Sequence, residues 1–333
     1  MAHIPTARAT EEEMSPIRLP ARVQELFDRY PYIAHPEAEE VLNELEFIFE
    51  HHADWGEALG DRMAGATNTG KTTVMVEFIR RHPPVKTPEG WRHPVLYARL
   101  SEKSTLKSVY AKILEALGDP QYGQGTESHL RERATNLLKS AHVKLVFIDE
   151  PHHLTETGSD KARVSTSHLA KVMVDKGICV IFGGVHSVDD LVVSADEMAR
   201  RFRGRLTLQP YRVSVPEHVS ILRAFADTVG ARLRHVAPVR LGSENRWFSR
   251  LLAISAGVPG TMCQLTRQAE TRARLAGDRV LTLQHFSAAW KRFAASRELG
   301  LRHLERAGTK TLVDVFKLDD EEVAAIVGRL VGA

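Results

Sequence analysis

Apolar residues recur at three- and four-residue spacing through Ala38, Val41, Leu42, Leu45, Ile48 and Phe49. That period places them on one face of an amphipathic helix running from Pro36 to near His51 and His52. Upstream, residues 1–30 mix Pro, Thr and a Glu run and read as a flexible arm. Downstream, GDRMAGATNTGKTTVMVEFIRR reads as a short strand or turn, a glycine-bounded loop and a helix from near Lys71, closed by Pro83 and Pro84. The period then shortens. Pro94–Leu100 (PVLYARL), Val143–Glu150 (VKLVFIDE) and Gly177–Gly184 (GICVIFGG) are near-continuous apolar runs of strand length. Helical stretches at about 104–117 and 127–140 lie between the first two, and another precedes the third. Strands apolar on both faces that alternate with helices predict an α/β fold with a parallel sheet covered on each side. After Pro210 the strand-like runs stop and helical patterns continue to about residue 307; there Trp247, Phe248, Leu251, Leu252 and Ile254 form a helical core face. The predicted organisation is an α/β domain over 31–210 and a smaller helical domain over 211–307. A tail over 308–333 follows, whose acidic Asp319–Glu322 segment suits either a short terminal helix or an appended arm.

Composition narrows the class without changing this picture. With 333 residues, 43% hydrophobic and 26% charged, the chain matches folded globular proteins rather than disordered, collagenous or disulfide-scaffold ones. Cys179 and Cys263 have no C-x-x-C neighbour and no partner at metal spacing, so they read as core thiols of a reducing compartment. No run reaches the ~20 apolar residues of a membrane span and the N-terminus carries no apolar signal core, which sets the expectation of a cytoplasmic protein without membrane contact. The net charge of +3 conceals an asymmetry. Residues 199–310 hold 21 Lys and Arg against 7 Asp and Glu, while the remainder holds 24 against 35. A basic, arginine-heavy C-terminal part suits either a polyanion partner or ordinary solvated helix faces.

The chemistry concentrates in two places. Gly65-Ala66-Thr67-Asn68-Thr69-Gly70-Lys71-Thr72, with Thr73 behind it, fits G-x-x-x-x-G-K-[ST] at each fixed position. Glycines let the backbone curl around an anion so that successive N–H groups and a helix N-terminus face phosphate oxygens. Lys71 supplies a point charge to the β- and γ-phosphates of ATP, and Thr72 a hydroxyl ligand to Mg²⁺. Independently, Leu145-Val-Phe-Ile-Asp149-Glu150 is a buried strand ending in two acids at its carboxyl end, where open α/β sheets bind ligands. Asp149 is placed to hold Mg²⁺ through water and Glu150 to polarise the attacking water. A third element, ADEMARRFRGRL over Ala195–Leu206, offers Arg200 and Arg201 as an arginine delivered to a neighbouring subunit, Arg201 being favoured by its RRF context. A basic helix touching nucleic acid or water is the equal alternative. The adjacent pairs His51-His52 and His152-His153 lack an H-E-x-x-H frame, and side chains of neighbouring residues diverge on a regular element, so no zinc site is expected.

Taken in order, these stretches resemble an AAA+ ATPase: a P-loop NTPase core with a parallel sheet flanked by helices, followed by a smaller helical lid domain. Within that superfamily the chain is similar to the TniB and TnsC proteins, the target-selection ATPases of transposons. The resemblance rests on YPYIAHPEAEEVLNELEFIFEHH, GATNTGKTT, VFIDEPHHL and the strand followed by DEMARRFRGRL, and covers about residues 30 to 290. It implies ATP-dependent self-assembly into rings or filaments on double-stranded DNA, and contacts with a transposase and a TniQ-type target adaptor. Two departures from the family pattern stand out. Where members carry Gly-Thr as sensor 1, this chain has Gly184-Val185-His186-Ser187, which passes the sensing role to His186 or Ser187 and implies slow hydrolysis. The sensor 2 region, AGVPGTMCQLTRQA, has no arginine directly after Val258-Pro259, leaving Arg267 as the substitute.

In such assemblies, loops after the second sheet strand contact DNA. Here SEKSTLK follows PVLYARL, so Lys103 with Thr105 or Lys107 could bond phosphates, with Thr126 a second candidate. The alternative is an ordinary helix start with Ser101 or Ser104 as cap. Two other functions share the same motifs: a DNA-bound scaffold held by ATP with negligible turnover, and another DNA-associated AAA+ ATPase of the origin-loading or secretion-associated type.

Overall fold

The computed structural model describes residues 19–51, 60–154, 159–185, 188, 202, 204–296 and 314–331. Five strands form one parallel sheet in the order β4-β5-β6-β1-β7, where β1 is Gly60–Gly65, β4 Val95–Arg99, β5 Leu145–Asp149, β6 Cys179–Gly184 and β7 Gly204–Leu208. A short antiparallel hairpin, β2 (Val85–Thr87) and β3 (Gly90–Arg92), stands apart from it. The alternation of side chains along a strand explains why the predicted runs are apolar on both faces. Val146 and Ile148 enter one core with Val180 and Phe182, beneath α4 (Leu106–Ala116), α5 (Glu127–Ser140) and α6 (Ser159–Val174). Leu145 and Phe147 enter the opposite core with Cys179 and Ile181, beneath α2 (Pro36–His51) and α3 (Lys71–Arg81).

The interior strand β1, between β6 and β7, is only weakly apolar. In β1, Asp61 is buried and its carboxyl is pushed up to about 6 by burial, while the Arg62 guanidinium donates to the Phe202 carbonyl at 3.1 Å. This strand is specified by its neighbours: β6 pairs along one edge and β7 along the other, and β6 is buried throughout. Order also begins earlier than the pattern of residues 1–30 suggested. Helix α1 (Ala21–Arg29) buries Phe27 in the core with α2, and the Arg80 guanidinium lies over the Phe27 ring at 4.6 Å. Residues 21–29 therefore belong with the α/β domain rather than with an arm.

Beyond β7 the described chain is helical: α7 (Pro216–Ala231), α8 (Asn245–Ser255), α9 (Pro259–Ala276) and α10 (Leu283–Ser296), with α11 (Asp320–Val331) after a gap. The predicted face Trp247, Phe248, Leu251, Leu252 and Ile254 lies in one core with Phe286 and Trp290. Val323 and Ile326 of α11 complete that core, so the terminal acidic segment opens a docked helix and not an appended arm. Arg250, almost fully buried, secures the join. Its guanidinium donates to the carbonyls of Arg246, Val315 and Leu318 and to Asp320 Oδ1 at 2.7–3.1 Å. Buried charge is tolerated when it is paired and hydrogen-bonded, and here each of the three guanidinium nitrogens has a partner. Among the described residues, no helix is long and apolar enough to cross a membrane.

Candidate functional site

Register brings the two chemical motifs together. Ala64 of β1 pairs with Gly184 of β6 and Gly183 pairs with Asp149 of β5, so the loop after β1 and the acids after β5 leave the same edge of the sheet with only β6 between them. The loop passes from β1 into α3 through Gly70, whose φ of 104° lies in the left-handed region that a side chain disfavours. Lys71, Thr72 and Thr73 form the first turn of α3, where N–H groups lack intrahelical acceptors. The Lys71 ammonium folds back over the loop, donating to the carbonyls of Gly65 at 2.8 Å and Ala66 at 2.9 Å, and burial lowers its pKa against the opposing pull of Glu150 and Asp149. A concave nest of amides with one buried cation beside it is built for a polyanion.

On the acid side, the Thr72 hydroxyl donates to Asp149 Oδ2 at 2.8 Å, and the Tyr97 hydroxyl donates to the same oxygen at 2.8 Å. Burial and the Asp149 charge raise the Tyr97 pKa, keeping its proton in that bond. Asp149 Oδ1 is buried with no protein partner among the described residues. A buried, unsatisfied carboxylate oxygen next to a threonine hydroxyl fits a hard divalent cation such as Mg²⁺, which takes few protein ligands and keeps its waters. Glu150 follows with φ of 59°, left-handed and non-glycine, a conformation costing about 1–3 kcal/mol. Its N–H donates to the Gly183 carbonyl at 2.8 Å and its carbonyl accepts from His153 N–H at 3.0 Å, so the surrounding backbone holds the strained residue in place.

A cavity of about 570 Å³ opens over the loop. Thr67 to Val74, Arg99, Glu150 and Val185 line one side; Tyr30 to Ile33, His35 and Phe225 line another. Helix α9 closes the rest with Pro259, Gly260, Cys263, Gln264, Arg267, Gln268 and Thr271. Its volume is in the range of small-molecule sites. The helical domain is seated directly on the loop: Gly260 N–H donates to the Asn68 carbonyl at 3.0 Å and the Asn68 amide donates to Gln264 Oε1 at 3.2 Å. Only glycine allows this approach, because a Cβ on residue 260 would stand 2.2 Å from the Asn68 oxygen. Gly260→Ala is therefore expected to cost about 1–3 kcal/mol of overpacking in the docked arrangement. Calorimetry should show a lower Tm and weaker nucleotide binding; wild-type values for both would place the lid elsewhere.

Gly65 to Thr73, Asp149 and Glu150 are thus brought together, and Arg267 lines the same cavity. Arg201, His186 and Ser187 lie outside the described residues. Thr105 and Thr126 are helix N-caps, accepting from Ser108 N–H at 3.2 Å and His129 N–H at 3.3 Å. The cap of α4 is therefore Thr105, not Ser101 or Ser104. Lys103, with φ of 61°, occupies the turn before α4, and Lys107 its first helical turn. Sequence reasoning missed Tyr97 and Arg99, whose polar alternation within PVLYARL was the available signal. Arg99 lies opposite Asp149 in register, lines the cavity and donates to the Tyr30 hydroxyl at 3.1 Å. The expected divergence of adjacent histidines also fails at His152-His153, whose ring centroids are 4.2 Å apart.

Comparison with known proteins follows this geometry. A family model described as Bacterial TniB protein matches residues 22–212, more than half of the chain. No curated protein matches. Among solved structures, the Orc1 protein of Aeropyrum pernix in complex with DNA aligns with a TM-score of 0.58 at 16% identity, over 92% of this chain and 86% of that one. A Walker-type ATPase of Pyrococcus abyssi aligns at 0.54 and 15%, over 94% and 91%. Cdc6p of Pyrobaculum aerophilum aligns at 0.50 and 16%, over 94% and 82%. The fold is that of the AAA+ ATPases.

Proposed function

Since the chain belongs to the TniB family, we propose that it is an AAA+ ATPase that binds ATP with Mg²⁺, assembles on double-stranded DNA and regulates target-site selection and transposase recruitment in transposition. The observation that carries the nucleotide chemistry is the Thr72–Asp149 hydrogen bond, which joins the phosphate loop to the acidic strand end with Lys71 and Glu150 beside it. Thr72 and Asp149 would hold Mg²⁺, whose charge neutralises phosphate oxygens when bound. The loop amides and Lys71 bind the β- and γ-phosphates. Tyr97 fixes the orientation of the Asp149 carboxylate. Glu150 accepts the proton of the water that attacks the γ-phosphorus while the bond to the bridging oxygen of ADP breaks. Arg201 from a neighbouring subunit stabilises the charge that develops, which makes the site incomplete in a monomer. His186, Ser187 and Arg267 take the sensor positions, with slow turnover as the consequence.

The DNA contact is assigned to Lys103, Thr105, Lys107 and Thr126. As caps, Thr105 and Thr126 accept through oxygen and keep a proton to donate to phosphate. The similarity to the Orc1 protein, solved in complex with DNA, and the basic 199–310 segment support a polyanion partner. Backbone contacts carry no direct base information, which suits a protein directed to its targets through a TniQ-type adaptor. Electron microscopy with duplex DNA tests the reading: rings or filaments are expected with a non-hydrolysable ATP analogue and not without nucleotide. Lys103→Ala is expected to weaken binding to all duplexes alike and to reduce the salt slope, roughly −0.9 per phosphate contact, by about one unit per subunit. A variant with the wild-type slope moves the contact away from this turn.

A further inference from the structure

Directly after Glu150 the chain makes one short 3-10 turn, Pro151–His153, and this turn gathers three ligand-type side chains. One donor atom each from Glu150, His152 and His153 can be chosen so that all three lie within 4.8 Å of one another. His152 Nδ1 is 3.2 Å from Glu150 Oε2, and the two imidazole rings lie side by side at 4.2 Å with 43° between their planes. The left-handed backbone of Glu150 bends the chain so that its carboxylate meets the ring two residues on. Around a tetrahedral zinc ion with ligand bonds near 2.0–2.2 Å, donors are separated by about 3.4 Å. The Glu150–His152 pair already has that spacing, and His153 offers a third donor within 4.8 Å. All three side chains are half-buried, so an ion can enter from solvent.

We propose that Glu150, His152 and His153 form a binding site for a borderline transition-metal dication of the Zn²⁺ or Co²⁺ class, separate in its donors from the Thr72–Asp149 position. Two imidazole nitrogens and one carboxylate select such ions over Mg²⁺, which prefers oxygen ligands and octahedral geometry. The consequence rests on the role given above to Glu150. A carboxylate lone pair committed to the metal does not accept the proton of water, so occupancy stops hydrolysis while ATP stays bound to the loop and Lys71. The site would make the ATP-bound state persist whenever free zinc rises.

The test uses the metal-stripped full chain without nucleotide, in excess Mg²⁺, titrated with Co²⁺. One Co²⁺ per chain is expected, with the intense visible absorption of a low-coordinate site, displaced by Zn²⁺. His152→Ala and His153→Ala should each weaken binding at least tenfold, with His153→Asn as a shape-conserving second variant, whereas Lys71→Ala should bind Co²⁺ as the wild type does. Unchanged Co²⁺ spectra in the histidine variants, or no binding in the wild type, overturns the site. In a second arm, buffered free Zn²⁺ is added to protein saturated with Mg-ATP. Phosphate release should stop while a fluorescent ATP analogue stays bound, and His153→Ala should lose that sensitivity. Inhibition undiminished in His153→Ala overturns the regulatory consequence. A wild type that hydrolyses no ATP under any condition overturns the ATPase reading instead, and the Co²⁺ titration still decides the metal site.

Discussion

Lys71→Ala abolishes measurable ATP binding and with it nucleotide-dependent assembly on DNA. The ammonium now occupied by the Gly65 and Ala66 carbonyls is the one cation buried within the phosphate cradle among the described residues. Each hydrogen bond from a charged donor to phosphate contributes about 1.5–3 kcal/mol. Two such contacts correspond to a loss on the order of a hundredfold or more in affinity. The fold should not suffer. Burial lowers the Lys71 pKa, so the charged form is held at a cost to the folded state, and relief of that cost offsets the loss of its bonds to the Gly65 and Ala66 carbonyls. The nucleotide-free variant is expected to melt near the wild-type Tm, while calorimetric titration with ATP shows no saturable heat. Wild-type affinity in this variant would remove the phosphate loop from the mechanism.

Glu150→Gln separates binding from turnover. Glutamine keeps the size of the side chain and the backbone bonds of residue 150 to Gly183 and His153, but its amide is no proton acceptor at neutral pH. General-base contributions of about 10²–10⁴-fold set the expected fall in kcat. ATP affinity should stay within a few-fold of wild type, and DNA-bound oligomers should persist instead of turning over. Single-turnover phosphate release and a nucleotide-binding titration on the same preparation give both numbers. A kcat within tenfold of wild type would assign water activation to another group. The variant also loses one of the three donors proposed for the transition metal, so Co²⁺ binding should weaken in parallel, an outcome that loss of catalysis alone does not produce.

What local sequence determines about this protein is what short-range physics controls. The G-x-x-x-x-G-K-T spacing dictates a tight loop entering a helix, because Gly70 adopts φ of 104° and the helix starts at the next residue. The run from Leu145 to Asp149 alternates between two cores and is buried at all five positions, so its strand character is written in its own residues. Helices α4 and α5 follow the same logic of period and cap, with Thr105 and Thr126 as caps, and α8 follows its period alone. The tertiary structure decided the rest, wherever the partner is far away along the chain. Gly60-Asp-Arg-Met-Ala-Gly is weakly apolar and becomes an interior strand only because β6 and β7, more than a hundred residues on, pair with both of its edges. Tyr97 becomes a guide for Asp149 through a bond across 52 residues, and Gly260 and Gln264 become a seat for the phosphate loop across nearly 200. Helices α1 and α11 show no more than a periodic face in isolation; burial of Phe27 in one core and of Val323 and Ile326 in the other makes them part of the fold. Such contacts depend on loop closure and on the packing of surfaces that no window of neighbouring residues contains, which is why the phosphate chemistry was legible before folding and its surroundings only after it.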